Sequence, residues 1–352
     1  MKKWITVLVH EWVTGGGMAG ANLPPSWAAE GSAMRRAIAS DFASVPGVRV
    51  VMTLDARLPD EPGPWTILRI SREQDGEEWA RHSAKADWTV LIAPETGGTL
   101  ADCSRTLARR GGRSLGSTPE AVELAGDKLR LAAFLSERGI RTPACRRVVP
   151  SLPLPGDFPY PAVLKPIDGA GSIDTFWIPE PAMVPDDAKE LPEALLQPFL
   201  PGVPSSATFL IGPENQARWI GIGRQRVAIQ DGRFVYRGGI LPDSEASPAP
   251  VLAQAVESIP GLRGLIGVDF LRDENCATVT ILEVNPRPTT SIVGLARILP
   301  PGLLAKAWID TVEGTHVQDD WRLDEIVRSQ IPVTFDTDGT IARMKEREAR
   351  HG

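Results

Sequence analysis

Asp269 is followed fourteen residues later by Glu283, which opens the run Glu283-Val284-Asn285-Pro286-Arg287. Two residues apart on a strand, Glu283 and Asn285 project from one face. Asp269 sits in a second apolar run, Gly267-Val268-Asp269-Phe270-Leu271. If the two runs pair, three oxygen-bearing side chains converge. Magnesium takes hard oxygen ligands, commonly one or two carboxylates together with substrate phosphates. The spacing thus predicts a magnesium site at Asp269, Glu283 and Asn285. Arg287, just past the strand, could hold a transferring phosphoryl group or an acyl phosphate. The competing reading of the same residues is an exposed polar strand end with a turn at Asn285-Pro286.

Three further segments suit phosphate or nucleotide chemistry. The strand Ala162-Val163-Leu164-Lys165-Pro166 runs into Ile167-Asp168-Gly169-Ala170-Gly171-Ser172. Small residues there would let backbone N–H groups approach phosphate oxygens, and Lys165 adds positive charge. The order is not that of a P-loop, and a plain flexible hairpin reads equally well. Leu195-Leu196-Gln197-Pro198-Phe199-Leu200-Pro201-Gly202 is an apolar strand entering a short linker. The Pro198 carbonyl can accept from an adenine amino group and the Leu200 N–H can donate to the ring; an interdomain linker is the alternative. Lys128, after Gly126-Asp127, opens a helix against the helix dipole, which slightly favours an anionic ligand nearby.

The elements that must position these residues follow from hydrophobic patterning. Ile5-Thr6-Val7-Leu8-Val9, Val48-Arg49-Val50-Val51-Met52 and Trp88-Thr89-Val90-Leu91-Ile92-Ala93 are buried-strand runs. Helical spacing from Ala33 to Ala43 separates the first two. Such alternation predicts a parallel, doubly wound sheet over residues 1–117, with ligands beyond the carboxyl ends of its strands. Glu11 to Gly17 and Pro94 to Gly98 sit at such ends. A helical stretch is expected from Pro119 to Arg138, closed by Gly139 and Pro143. Short strands follow in proline-rich surroundings, and strands dominate from Leu195 on, with helices at Pro250–Ser258 and Leu303–Val312. The final dozen residues are charged and expected to fray.

Composition excludes several classes. The 352 residues are 42% hydrophobic and 23% charged with net charge −6, which suits a globular chain of two or three packed units. With no basic block, a nucleic-acid partner is not expected. Cys103, Cys145 and Cys276 show no C-x-x-C spacing, which argues against a zinc site and fits a reducing cytoplasm. The apolar start stops at His10-Glu11, too short for a signal peptide, and no stretch would span a membrane. His10, His82, His316 and His351 are scattered, and no G-x-S-x-G elbow is present.

In order, the four motifs are a lysine at a helix start, a lysine-plus-glycine loop, a hinge, and Asp…Glu-x-Asn-Pro-Arg. Together they resemble an ATP-grasp enzyme over about residues 119–300. The resemblance implies an α/β chain: a pre-ATP-grasp domain (1–117), an ATP-grasp small lobe (118–195) and a C-terminal lobe with the metal site (196–352). It implies that Lys128 and Lys165 bind ATP phosphates, with Gly169, Gly171 and Ser172 covering them. Gln197, Pro198, Phe199 and Leu200 would hold adenine. Asp269, Glu283 and Asn285 would bind one or two Mg2+ ions, with Mn2+ an alternative. Lys165 and Arg287 would be catalytic, for transfer of phosphate to a carboxylate and displacement by an amine. The glutamate that many members carry after the hinge glycine is missing from Gly202-Val203-Pro204-Ser205-Ser206, so Gln197 or a serine would meet the ribose.

Glu11-Trp12-Val13-Thr14-Gly15-Gly16-Gly17, with Pro94-Glu95-Thr96, looks like the tyramine–glutamate ligases of methanofuran biosynthesis. That resemblance implies L-glutamate and tyramine, or tyrosine, as substrates. It assigns Glu11, Thr14, Gly15, Gly16 and Glu95 to substrate binding, with Glu11 or Glu95 meeting an ammonium group. Arg226 and Arg237 would contact the acyl-accepting substrate. Another amino acid and amine pair, or an ATP-binding regulatory protein, are the alternatives, and oligomeric state is open, a homodimer included.

Overall fold

The computed structural model describes residues 4–71, 77–169, 171–246, 249–273, 278–315 and 322–343. Ala170 of the glycine loop, Cys276, His316, His351 and the charged tail from 344 lie outside the described residues.

Four strands near the N-terminus, β1 (Ile5–Glu11), β2 (Val48–Asp55), β3 (Trp65–Ile70) and β4 (Trp88–Ile92), form a parallel sheet in the order β3-β2-β1-β4. Val7, Leu8 and Val9 of β1 are almost wholly buried, as a strand covered on both faces requires. β3 was not evident from patterning: Thr66 and Arg69 interrupt its apolar run, which an edge strand tolerates. Helices α1 (Pro25–Ala43), α2 (Glu78–Ser83) and α3 (Thr99–Arg109) accompany the sheet.

The expected helix from Pro119 to Arg138 is two helices, α4 (Pro119–Gly126) and α5 (Lys128–Ser136). The break falls at Asp127, whose backbone is extended and whose carboxylate accepts from the N–H groups of Leu129 and Arg130, both at 3.0 Å. An aspartate N-cap of this kind starts a helix afresh and sets Lys128 at its first position.

The remaining strands build an 11-stranded sheet whose pairs are all antiparallel. They are β5 (Arg146–Val148), β6 (Ala162–Lys165), β7 (Phe176–Ile178), β8 (Ala194–Pro198), β9 (Val203–Ile211), β10 (Ala217–Gln230), β11 (Arg233–Leu241), β12 (Gly264–Arg272), β13 (Val279–Asn285), β14 (Val333–Phe335) and β15 (Ile341–Arg343). The order is β13-β12-β9-β10-β11-β7-β6-β8-β5, with β14 joining β11 and β15 joining β14. Asp231 and Gly232 turn the β10–β11 hairpin at φ of 49° and 74°, the positive pair that a two-residue hairpin turn demands. The division expected between 195 and 196 falls inside β8, which pairs with β6 up to Pro198.

Four more helices, α6 (Pro250–Ser258), α7 (Ser291–Ile298), α8 (Leu303–Glu313) and α9 (Leu323–Arg328), pack on this sheet. The N-terminal domain shares a core with it. Phe42 of α1 meets Trp308 of α8 at 5.7 Å between rings, and the Trp308 indole donates to the Leu115 carbonyl at 2.8 Å. Asp41 of α1 accepts from the N–H groups of Gly302 and Ala305 at 2.6 Å each, capping α8 from another domain. This contact fixes α1, and hence Glu30 near its start, against the second sheet. No single helix among the described residues is long and apolar enough to cross a membrane.

Candidate active site

β12 and β13 pair so that Asp269 stands opposite Glu283 and Gly267 opposite Asn285, with a bulge just after Asp269. The three side chains predicted from spacing therefore meet. The Asn285 amide donates to the Asp269 carboxylate at 3.1 Å. The Lys128 ammonium lies 3.2 Å from the Glu283 carboxylate and also donates to the Gly169 carbonyl. Burial pushes the Asp269 carboxyl up to about 7, helped by the neighbouring Glu283 charge. Burial pushes Glu283 the same way, but Lys128 and Lys165 outweigh it and hold Glu283 down at about 2. Burial lowers Lys165, and the Glu283 charge opposes that.

Two carboxylates and an amide oxygen form a hard donor set, and one carboxylate lacks a full counter-charge. Such a set fits a magnesium ion arriving with phosphate oxygens. Among the described residues no group of three or more His, Cys, Asp and Glu side chains could hold a metal alone. The ion would therefore draw its other ligands from substrate and water.

Beside this set lies a cleft of about 450 Å3, lined by Lys128, Lys165, Gly169, Gly171 and Ser172 at one side and by Gln197 to Leu200 at another. That volume suits a nucleotide or drug-sized ligand. Val163, Phe234, Leu271 and Leu282 supply apolar wall. Phe199 packs edge-on to Trp177 with ring centres 4.7 Å apart, and its N–H donates to the Pro161 carbonyl at 2.9 Å. The Gln197 amide donates to the Cys145 sulfur at 3.0 Å, which fixes it in the wall. Ser206, paired with Asp269 across β9 and β12, also lines the cleft.

Arg287 reaches the cleft as expected, but Glu95 holds it. The Arg287 Nε and Nη2 donate to the two Glu95 oxygens at 2.9 Å each, and both side chains are nearly buried. Glu95, expected to meet a substrate ammonium, here engages a protein cation. Its loop also reaches the glycine loop: the Gly97 N–H donates to Asp168 at 2.8 Å.

The glycine turn after β1, expected to bind substrate, does not line this cleft. Glu11 is 2% exposed and accepts from the N–H groups of Val13 (3.0 Å) and Thr14 (2.8 Å) and from the Thr14 hydroxyl. The Thr14 hydroxyl in turn accepts from the buried Arg35 guanidinium, which also pairs with Glu61. This closed network braces the turn against α1 and leaves Glu11 and Thr14 away from the cleft. A Cβ on Gly15 would lie 2.4 Å from the Thr53 hydroxyl, and one on Gly16 2.4 Å from Ile70. Packing, with a φ of 100° at Gly16, explains the glycines without a substrate.

Arg226 and Arg237 also miss the cleft. Gln225, Val227 and Ile229 of β10 and Phe234 and Tyr236 of β11 line it. Strand alternation sends the intervening arginines to the other face. There Arg226 pairs with Asp336 at 2.5 Å and Arg237 donates to Gln230 at 2.7 Å.

Sequence reasoning missed Glu30, Tyr236 and Thr290, all in the cleft wall. Glu30 accepts from the Thr290 hydroxyl. The period-2 pattern Phe234-x-Tyr236 could have flagged the tyrosine. Nothing local to α1 marks Glu30, because the contact spans 260 residues.

Comparisons with known proteins agree with this geometry. Residues 125–291 match the ATP-grasp domain family and residues 48–122 the pre ATP-grasp 3 domain family. A tyramine–L-glutamate ligase of Methanocaldococcus fervens is 27% identical over 216 residues, 60% of this chain and 62% of that protein. One of Methanocaldococcus jannaschii is 26% identical over 237 residues, 65% and 66% of the two chains. The matched stretches thus span a little under two thirds of each relative. Among solved structures, an ATP-grasp superfamily protein from Archaeoglobus fulgidus has TM-score 0.64 at 20% identity, covering 88% of this chain and 89% of that one. The L-amino acid ligase from Bacillus licheniformis has TM-score 0.64 at 14% identity, covering 92% and 78%. D-alanine–D-alanine ligase from Bacillus anthracis complexed with ATP has TM-score 0.58 at 14% identity, covering 87% and 97%.

Proposed function

Since the chain belongs to the ATP-grasp superfamily, we propose that it is an ATP-dependent carboxylate–amine ligase. The observation that carries this reading is the cleft itself. Its wall combines the hinge residues Gln197 to Leu200 with two lysines, three carboxylates, the Asn285 amide and an arginine.

In this reading adenine lies against Phe199 and the backbone of Pro198 to Leu200, with ribose near Gln197 and Ser206. Lys128 and Lys165 hold phosphate oxygens, and the Gly169–Ser172 segment covers them. Asp269, Glu283 and Asn285 hold magnesium, which supplies charge neutralisation on the phosphates when bound. A substrate carboxylate oxygen attacks the γ-phosphorus as the bond to the β-phosphate oxygen breaks, and ADP leaves. The resulting acyl phosphate sits by Arg287. An amine attacks its carbonyl carbon, phosphate departs, and the nitrogen loses a proton. Such chemistry needs positioned charge more than a protein nucleophile.

The relatives named above support L-glutamate and tyramine as the pair; activation of the γ-carboxyl, tyrosine as a variant of the amine and a place in methanofuran-type cofactor biosynthesis complete the reading. Small-molecule substrates and a cytoplasmic location belong to the same reading. The test is a panel of amino acids and amines with product mass detection. Formation of γ-glutamyltyramine, with ADP release requiring both substrates, is expected. A different amide product would keep the ligase class and overturn the pair. Nucleotide binding without turnover on any pair would indicate a regulatory protein.

A further inference from the structure

We propose that Glu30, with the Thr290 and Tyr236 hydroxyls, forms a subsite for the α-ammonium of the acid substrate whose carboxylate is activated. The inference deepens the ligase reading and rests on it.

Glu30 enters the cleft from the N-terminal domain, on the helix that Asp41 pins to α8. Among the described residues it is the only acidic one in the cleft wall apart from Asp269 and Glu283. It has no cation partner among the described residues and accepts only from the Thr290 hydroxyl there. Two of the cleft's cations already have carboxylate partners. Arg287 is held by Glu95, Lys128 by Glu283 and the Gly169 carbonyl. A half-buried carboxylate facing a cavity is a site for a cation that arrives with the ligand.

Tyr236 locates the subsite along the cleft. Burial raises its phenol, and the Asp269 and Glu30 charges add to this, so the tyrosine stays protonated. It shares the cleft wall with Asp269 and Glu30. Arg287 likewise feels both Glu30 and Glu283. Glu30, Tyr236 and Arg287 line the same cleft as Lys128, Asp269 and Glu283. A substrate carboxylate must enter that cleft to reach the γ-phosphorus. An ammonium has three N–H donors and no acceptor. The Glu30 carboxylate and the phenol oxygen offer acceptors for it.

The test pairs a substrate deletion with a side-chain change. L-Glutamate and glutarate, which lacks the amino group, are compared by calorimetric binding to the ATP-analogue-loaded chain and by kcat/KM with tyramine. The wild-type chain should prefer glutamate. In Glu30→Gln, which keeps the shape and the Thr290 contact, that preference should fall roughly 10- to 100-fold. Tyr236→Phe should lower it by a smaller factor. An unchanged preference in Glu30→Gln overturns the subsite. A loss expressed in the KM for tyramine, with glutamate binding intact, also overturns it and places the amine there. A binding preference that depends on Glu30 without turnover on any pair would overturn the ligase reading and leave the ammonium subsite standing.

Discussion

Removing Glu95 should disable catalysis through Arg287 and leave ATP binding largely intact. The pair is bidentate, both bonds are 2.9 Å, and the two side chains are 6% and 13% exposed. Truncating one partner of a buried pair typically costs about 3–5 kcal/mol, because the remaining charge is stranded. Arg287 borders a cleft that water can enter, so the lower end, about 3 kcal/mol, is expected for Glu95→Ala. Glu95→Gln keeps one carbonyl acceptor and should cost about 1–2 kcal/mol. A freed guanidinium also drifts from where the acyl phosphate must sit. A displacement of about 1 Å at a reacting group lowers rate roughly 100-fold. The assay combines urea midpoints with steady-state kinetics over both variants. kcat should fall roughly 100-fold while the KM for ATP moves less than about threefold. A double-mutant cycle with Arg287→Gln should give a coupling of about 1.5–3 kcal/mol. Additivity within about 0.5 kcal/mol, or an unchanged kcat in Glu95→Ala, would refute the argument that Glu95 positions the arginine.

Three other perturbations follow from the same geometry. Glu283→Ala should lower kcat/KM by at least about a thousandfold, equivalent to about 4 kcal/mol, with circular dichroism unchanged; retained ligase activity would remove Glu283 from the metal set. His10 is 1% exposed, stacked on Trp79 at 4.3 Å, and burial with the nearby Arg35 charge lowers it from 6.5 to about 3. Between those values the unfolded chain takes up a proton that the native imidazole refuses, so this contribution is present above 6.5 and is lost as pH falls. The unfolding free energy of His10→Gln, from urea titrations, should therefore show a shallower decline from pH 6.5 to 5 than the wild type, by about 2 kcal/mol, and parallel declines would contradict the assignment. Gly31→Ala would set a Cβ 2.4 Å from the Glu11 carboxylate and should cost about 1–3 kcal/mol by overpacking, read as a lowered urea midpoint.

The phosphate end was legible in sequence because its signals are local. A two-residue strand spacing placed Glu283 beside Asn285, and one antiparallel pairing brought Asp269 to them. Lys128 was marked by its place at a helix start, although the Asp127 break that creates that start was read as continuous helix. The substrate end was harder to read. Glu11 and Glu95 have the chemistry of ammonium ligands, but sequence does not tell which carboxylates the fold spends on its own cations and amides. Thr14 and Arg35 close around Glu11, and Arg287, 192 residues away, claims Glu95. Glu30 was missed for the converse reason: its role depends on Asp41 docking α1 against α8, a contact with no local signature. Arg226 and Arg237 were one residue out of phase with the cleft-facing side of their strands.

Carboxylate activation by phosphoryl transfer is the central claim, and oxygen tracing tests it most directly. L-Glutamate labelled with 18O in its γ-carboxyl is incubated with ATP, magnesium, tyramine and the chain, and the released phosphate is analysed by mass. The γ-phosphorus that bonds to a carboxylate oxygen must keep that oxygen when the amine displaces it. One labelled oxygen per phosphate, with ADP as the nucleotide product, is the predicted result. Unlabelled phosphate, or label recovered in AMP, would contradict an acyl phosphate formed in this cleft.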